Sequence, residues 1–193
     1  MSNLAIGCLA FLFFVLYDIN KVTINNRLLR SSFLLGLILL TIATFGLIYN
    51  AINGIDKTGE SYARTFFFGI LALISLVLLI YTLFFAVPFK ETYFQSESQL
   101  KLCDEGVYAL SRHPGVLWFT GFYFFLWLAL PNPLLLLGAV LFSLLNYFYV
   151  LFQDKWVFMK MFSGYGEYKA STPFLFPTYQ SCKRCIKTFP SFQ

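Results

Sequence analysis

Charged residues are scarce in this sequence: Asp, Glu, Lys and Arg make up 12% of its 193 residues, about half the share of a typical soluble domain. Such a chain cannot cover an ordinary globular surface with polar groups, and its 59% of hydrophobic residues argues against disorder. The sequence also lacks a Gly-rich phosphate loop, a low-complexity segment and a convincing internal repeat. These absences exclude a soluble or disordered domain and indicate a membrane protein.

Five uncharged apolar runs approach or exceed the length of a membrane-spanning helix, about 17 to 25 residues. A chain in lipid must satisfy its own backbone, and strand-type alternation is missing, so the runs predict helices. The first run has no basic residue before it and no clean small-residue cleavage site, so we expect a retained helix rather than a signal peptide. The runs are 4–17, 33–49, 65–87, 116–130 and 134–152.

The predicted fold class is therefore an all-α polytopic membrane protein with about five transmembrane helices, a C-terminal helical hairpin and a cytoplasmic tail. We interpret residues 1–193 as a single membrane domain. Within it, residues 1–87 form three N-terminal transmembrane helices, and residues 88–193 form a polar segment, the hairpin and the tail.

The basic residues divide unevenly between the two sides of a five-span chain. Three lie in the loop 18–32, three in the segment 88–115 and six in the tail from 153, against only Lys57 and Arg64 on the other side. The positive-inside rule then predicts an outside N-terminus and a cytoplasmic C-terminus. The net charge of +5 is mostly this topology signal, so it does not call for nucleic-acid binding. Its weaker second use is attraction to anionic headgroups, for which Lys183, Arg184 and Lys187 are well placed.

The four cysteines predict no metal centre. Cys182 and Cys185 form a lone C-x-x-C pair, and zinc would need two further ligands from a chain with a single His. A disulfide is not expected in a reducing cytoplasm, whereas palmitoylation of juxtamembrane cysteines remains open. The other two cysteines are Cys8 and Cys103.

Polar and titratable residues concentrate in two stretches at the ends of the predicted hairpin. His113 lies 19 residues before Asn132, and Asp154 lies 22 residues after it, so the two arms differ by only about 4 to 5 Å at 1.5 Å per residue. A Pro-Asn-Pro turn favours antiparallel neighbours, so Arg112 and His113 are predicted to lie beside Asp154. With nearby tyrosines, this cluster suits a ligand that carries both charge signs and an aromatic part. The alternative is a purely structural cluster. In it, Arg112 only reflects the positive-inside rule, His113 only packs, and Asp154 pairs with Arg112 or Lys155 in solvent.

The sequence contains the pattern G-x-Y-x-x-x-R-H-P, formed by Gly106, Tyr108, Arg112, His113 and Pro114. This pattern resembles the motif of the integral-membrane methyltransferases, which include the isoprenylcysteine carboxyl methyltransferases and the phospholipid N-methyltransferases. The resemblance continues through the Asn-Pro turn, an acidic position after the last helix, and a Phe-Gly-Tyr-Tyr-Pro tail. It covers residues 104–177, and the tail residues are Phe162, Gly164, Tyr165, Tyr168 and Pro173.

The resemblance implies S-adenosylmethionine as cofactor and methyl transfer to a lipid or small lipophilic acceptor, within a core of about five helices closed by the tail. Arg112 and His113 would hold the polar end of the cofactor, and Asp154 would replace the family's first Glu. Three tyrosines would shape the nucleoside pocket. The implied cofactor-binding residues are Gly106, Tyr108, Arg112, His113, Pro114, Asp154, Tyr165 and Tyr168, with no catalytic residue and no metal assigned.

The chain departs from the family at several positions. Where the family has two acidic residues, this chain has Asp154 and Lys155, and where the family has a Tyr two residues after the motif's proline, it has Val116. Its tail is one residue shorter between the Phe and the tyrosines. The stretch 146–153 carries none of the arginines found in the prenylcysteine branch, which makes a carboxylate acceptor less favoured. Two alternatives stay open. One is an NAD(P)H-dependent membrane reductase of the steroid-reductase-like branch, whose tail is similar, and the other is a non-catalytic membrane adaptor.

Overall fold

The computed structural model describes residues 1–54, 62–86, 102 and 104–188, and the regular elements in those residues are helices. Four of them are long and apolar enough to cross a membrane, and a fifth is apolar but shorter. The predicted all-α polytopic membrane protein is confirmed. In chain order the helices are α1 (Ser2–Ile19), α2 (Ser32–Asn53), α3 (Tyr62–Phe84), α4 (Val107–Leu110), α5 (Pro114–Ala129), α6 (Pro133–Phe152), α7 (Phe158–Met161), α8 (Tyr165–Ser171) and α9 (Tyr179–Thr188).

All five apolar runs form helices, with bounds within four residues of the predicted ones. The largest difference is at the end of α2, which extends four residues beyond the predicted end at residue 49. α3 stops at Phe84, and its predicted end at residue 87 lies outside the described residues. The shorter helix is α5, whose 16 residues extend about 24 Å, below the roughly 30 Å of a bilayer core. Four further residues used above lie outside the described part of the chain: Lys57, Lys90, Lys101 and Cys103.

The turn between α5 and α6 is built as its residues predict. Asn132 caps α6, because its side-chain oxygen accepts from the backbone N–H groups of Leu134 at 2.9 Å and Leu135 at 3.2 Å. Pro133 follows at the first helical position, where its missing N–H costs nothing. The short turn makes α5 and α6 antiparallel neighbours, which is the predicted hairpin.

The helices pack as two pairs joined by the hairpin. α1 packs against α2, α3 packs against α5, and α6 contacts α1, α2 and α5. The side chains of Leu47, Tyr123, Leu135 and Phe142 are fully buried where these helices meet. Thr44 on α2 and Tyr123 on α5 share a hydrogen bond of 2.5 Å between their hydroxyl oxygens, which ties the two pairs together.

Gly7 allows α1 to approach α6 closely, and this gives a first testable prediction. The Cβ of an alanine at this position would lie 2.1 Å from the Phe142 ring, which is held in the core. We expect Gly7→Ala to lower the free energy of unfolding by about 1 to 3 kcal/mol through overpacking. Equilibrium unfolding in mixed detergent micelles measures the change.

Gly69 on α3 is the matched control for Gly7. A Cβ at Gly69 meets nothing within 4 Å, so Gly69→Ala is expected to leave stability unchanged or slightly raised. Equal losses for the two alanine variants would contradict the close approach of α1 and α6.

Two π-helical turns lie at the same end of the bundle. α1 runs on into Asn20–Ile24, and α6 runs on into Gln153–Val157. An extra residue in a helical turn changes the direction of the side chains that follow, and such turns are frequent at functional sites. The second π turn contains Asp154, so it sets the direction of the acidic residue singled out above.

Candidate functional site

The hairpin brings the Arg-His pair and Asp154 together, as the spacing predicts. The Arg112 Nε lies 2.9 Å from Asp154 Oδ1, and the His113 Nε2 lies 3.1 Å from the same oxygen. Asp154 is 2% exposed, and Lys155 beside it points to the surface. The predicted juxtaposition is confirmed, and the alternative of a solvent-exposed pair with Arg112 or Lys155 is wrong.

The tail adds two more side chains to the same carboxylate. The Tyr165 hydroxyl donates to Asp154 Oδ1 at 2.7 Å, and the Lys169 ammonium lies 2.8 Å from Oδ2. Burial, and then the neighbouring carboxylate, raise the pKa of Tyr165 above its ordinary value, so its hydroxyl stays protonated and donates. Asp154 is therefore the shared acceptor of four side chains from two segments, the start of α5 and α8: Arg112, His113, Tyr165 and Lys169.

Arg112 fastens the tail to the start of α5. Its Nη1 donates to the backbone carbonyls of Lys169 at 2.9 Å and Thr172 at 2.6 Å, while its backbone N–H donates to Pro173 at 2.9 Å. With Nε and Nη2 directed at Asp154, the planar guanidinium uses most of its donors inside the protein. The observed role of Arg112 is therefore to brace the site.

His113 is held in a buried aromatic slot. Its ring stacks on Phe158 with centroids 5.7 Å apart, and the edge of Phe174 packs against it at 5.1 Å. Burial lowers the pKa of His113 below its ordinary value of about 6.5, in spite of the opposing Asp154 carboxylate, so the ring is neutral near pH 7. Since the carboxylate oxygen accepts, Nε2 carries the proton, and Nδ1 is an acceptor.

The other motif residues connect α3, α4 and α8. Gly106 has φ +57° and ψ −129°, a backbone conformation that favours glycine, and its N–H donates to the Thr188 hydroxyl at 2.9 Å. The Tyr108 hydroxyl donates to the backbone carbonyl of Thr82 at 2.9 Å, and the Tyr168 hydroxyl donates to the carbonyl of Tyr108 at 2.7 Å. Pro114 opens α5 at its first position and is buried.

A cavity of about 280 Å³ lies beside this cluster, near the lower limit of roughly 300 to 1,000 Å³ for pockets that hold drug-sized ligands. Gly106 and Asp154 are not among its lining residues, and Asp154 holds three residues that are: Arg112, His113 and Tyr165. The five apolar helices α1, α2, α3, α5 and α6 all contribute apolar side chains to its walls, including Phe11, Leu37, Leu79, Phe119 and Val150. Of the predicted cofactor-binding residues, the cavity is lined by Tyr108, Arg112, His113, Pro114, Tyr165 and Tyr168.

The sequence did not single out a second polar group on the cavity wall. Asp18 at the end of α1 is 4% exposed, and its Oδ2 accepts from Gln153 Nε2 at 2.8 Å. The same amide donates to the Tyr149 hydroxyl at 2.8 Å, so α1 and α6 are joined next to the π turn. The sequence signal that could have identified Asp18 is a carboxylate directly after an apolar run, at the same end of the bundle as Gln153.

Three further residues that line the cavity would affect which ligand it accepts. Lys21, in the π turn that follows α1, lines the cavity, so a cation is present there although the stretch 146–153 has none. Thr82 is buried and also lines the cavity, and none of the residues that the structure describes gives its hydroxyl a hydrogen-bond partner. Val116, which stands where the family has Tyr, is also a lining residue.

The cysteine pair lies away from this cavity, on α9. Cys182 and Cys185 are both free thiols. Burial, and then the neighbouring Cys182, raise the pKa of Cys185, which keeps it a thiol rather than a reactive thiolate.

A scan against protein-family models finds no match for the chain, and searches of curated proteins and of solved structures find none either.

Proposed function

We propose that the chain is a membrane-embedded methyltransferase that uses S-adenosylmethionine to methylate a lipid or small lipophilic acceptor. The observation that carries the proposal is one cavity lined both by Arg112 and His113 and by apolar side chains of the five apolar helices α1, α2, α3, α5 and α6. A polar cofactor and a lipophilic acceptor have to meet at attack distance, and a cavity of mixed lining at a helix end suits both.

The chemistry of the lining fits S-adenosylmethionine. The Nδ1 of neutral His113 is available for a hydrogen bond to the polar part of the cofactor. The rings of Tyr108, Tyr165 and Tyr168 offer faces for an adenine and for a sulfonium cation. The cofactor supplies an already activated methyl group, so the protein's task is mainly to hold two molecules in place.

Each site residue has a distinct part in the proposal. His113 touches the cofactor, Asp154 orients the imidazole through Nε2, and Arg112 keeps the tail closed over both. The apolar walls from α1 and α2 take the acceptor, whose head group would meet Asp18 and Lys21.

The proposed orientation follows from the basic residues counted above. It places the ends of α5 and α6 that carry Arg112 and Asp154 on the cytoplasmic side. A water-soluble cofactor then enters from the cytoplasm, and a lipophilic acceptor enters between the helices from the membrane.

The test is equilibrium binding of S-adenosylmethionine and, separately, of NADPH to the purified full chain. We expect the wild-type chain to bind S-adenosylmethionine, and we expect His113→Ala to weaken this binding tenfold or more, about 1.4 kcal/mol. His113→Gln, which keeps a hydrogen-bonding amide, should lose less affinity. Lys155→Ala, an exposed neighbour of the site, should lose none.

The other results of this experiment contradict the proposal in different ways. Binding of NADPH alone would favour a membrane reductase, and binding of neither cofactor would favour a non-catalytic adaptor. A purely structural role for His113 would show as a lower unfolding midpoint of His113→Ala with cofactor affinity unchanged.

A further inference from the structure

Helix α9 has an inner face that is attached to the candidate site. Thr188 accepts from the backbone N–H of Gly106 at 2.9 Å. The Arg184 guanidinium donates to the backbone carbonyl of Ser171 and to the hydroxyl of Thr172, the latter at 3.3 Å. Of the three basic residues suggested by the sequence for headgroup contact, Arg184 therefore serves to hold α9 on the protein.

The opposite face of α9 is exposed and combines two cations with two large apolar side chains. Tyr179, Lys183, Ile186 and Lys187 follow one another at the helical spacings i, i+4, i+7 and i+8, which places them on one side. Tyr179 is 83% exposed and Ile186 is 78% exposed, and Phe176 just before the helix is 77% exposed. α9 contains three basic residues and no acidic one.

The attachments of α9 fix its height in the bundle. Gly106 and Thr172 lie near the start of α5 and the end of α6. Arg112, just before α5, binds both the carbonyl of Thr172 and Asp154 at the end of α6. The end of a membrane-spanning helix lies near the headgroups, so α9 lies at that level too. There, tyrosine and isoleucine side chains reach the acyl boundary while lysine ammonium groups reach the phosphates.

We propose that the outer face of α9, formed by Tyr179, Lys183, Ile186 and Lys187, binds the anionic headgroups of the bilayer that holds the chain. The two lysines complement the charge of the headgroups at this level, and the apolar side chains leave water when they enter the acyl boundary. Because the inner face holds Gly106 and Thr172, the same contact holds the motif turn and the tail in place. This inference stands apart from the chemistry proposed for the cavity.

The test is hydrogen exchange of the full chain in two kinds of nanodisc, one of phosphatidylcholine and one with about a third phosphatidylserine. We expect amides of residues 176–188 to exchange at least tenfold more slowly in the anionic nanodiscs, because two lysines close to an anionic surface resist the opening of α9. The double variant Lys183→Gln/Lys187→Gln should lose this difference. Both lysines are exposed, so the variant keeps the contacts of the inner face.

The control removes the same number of charges elsewhere on the same side of the bundle. Arg27→Gln/Lys155→Gln changes two other exposed basic residues and should keep the tenfold difference. Equal exchange of residues 176–188 in the two nanodiscs, or an equal loss in both double variants, would overturn the proposal. Slower exchange with soluble polyglutamate but not with anionic nanodiscs would assign the face to an acidic protein and would overturn it too.

Discussion

Asp154→Ala is expected to lower the free energy of unfolding by about 3 to 5 kcal/mol, because it leaves a buried cation without its partner. Arg112 Nε and His113 Nε2 both lose their acceptor, as do Tyr165 and Lys169 from the tail. The same variant should bind no S-adenosylmethionine, since the orientation of His113 depends on this carboxylate. Equilibrium unfolding and cofactor binding, both in detergent micelles, measure the two effects.

Two further variants test this account: one removes the charge of Asp154 but keeps its shape, and the other removes an exposed carboxylate elsewhere. Asp154→Asn keeps an oxygen acceptor and the side-chain volume, so we expect a smaller loss of stability than for alanine. Asp104→Ala removes an exposed carboxylate near the start of the motif and should change stability by less than about 0.5 kcal/mol. If Asp154→Ala and Asp104→Ala behave alike, Asp154 is not the centre of the site.

Arg112→Ala is expected to release the tail from the start of α5. It removes the donor to the carbonyls of Lys169 and Thr172 and the partner of Asp154, and a broken buried ion pair costs about 3 to 5 kcal/mol. Hydrogen exchange of residues 165–174 should become at least tenfold faster. Arg112→Lys should not restore protection, because an ammonium group cannot reproduce the planar set of donors.

The control for Arg112 is Arg27→Ala, which removes an exposed guanidinium and should leave exchange of residues 165–174 unchanged. Unchanged exchange in Arg112→Ala would show that the tail is held by the backbone contacts at Pro173 and Phe174 instead. That result would remove Arg112 from its bracing role.

The sequence was sufficient to predict the helices and the position of Asp154 beside Arg112 and His113. Uncharged runs of spanning length that lack strand-type alternation favour helices as the way to satisfy the backbone in lipid, so the five elements were predictable. The rise per residue in a helix is constant, so two arms of similar length had to return Asp154 to the level of Arg112 and His113. These two regularities need no knowledge of side-chain packing.

The remaining parts of the site depend on which faces of the helices meet, which the sequence does not reveal. Apolar residues occupy every side of the spanning helices, so nothing in the pattern indicated that Asp18 and Lys21 would line the same cavity as His113. The second cation that pairs with Asp154 is also distant from it in the sequence. It is Lys169 of α8, whereas the adjacent Lys155 points outward. The π turn at Gln153–Val157, which determines this direction, has no simple sequence signature.

The central claim is that S-adenosylmethionine occupies the cavity beside His113. The most direct measurement is photolabelling of the wild-type chain in nanodiscs with radiolabelled S-adenosylmethionine, followed by mapping of the labelled peptides. The account predicts label in residues 104–119 or 158–168, displaced by excess unlabelled S-adenosylmethionine and unaffected by NADPH. Label that maps only to residues remote from the cavity, or label displaced by NADPH, would contradict it.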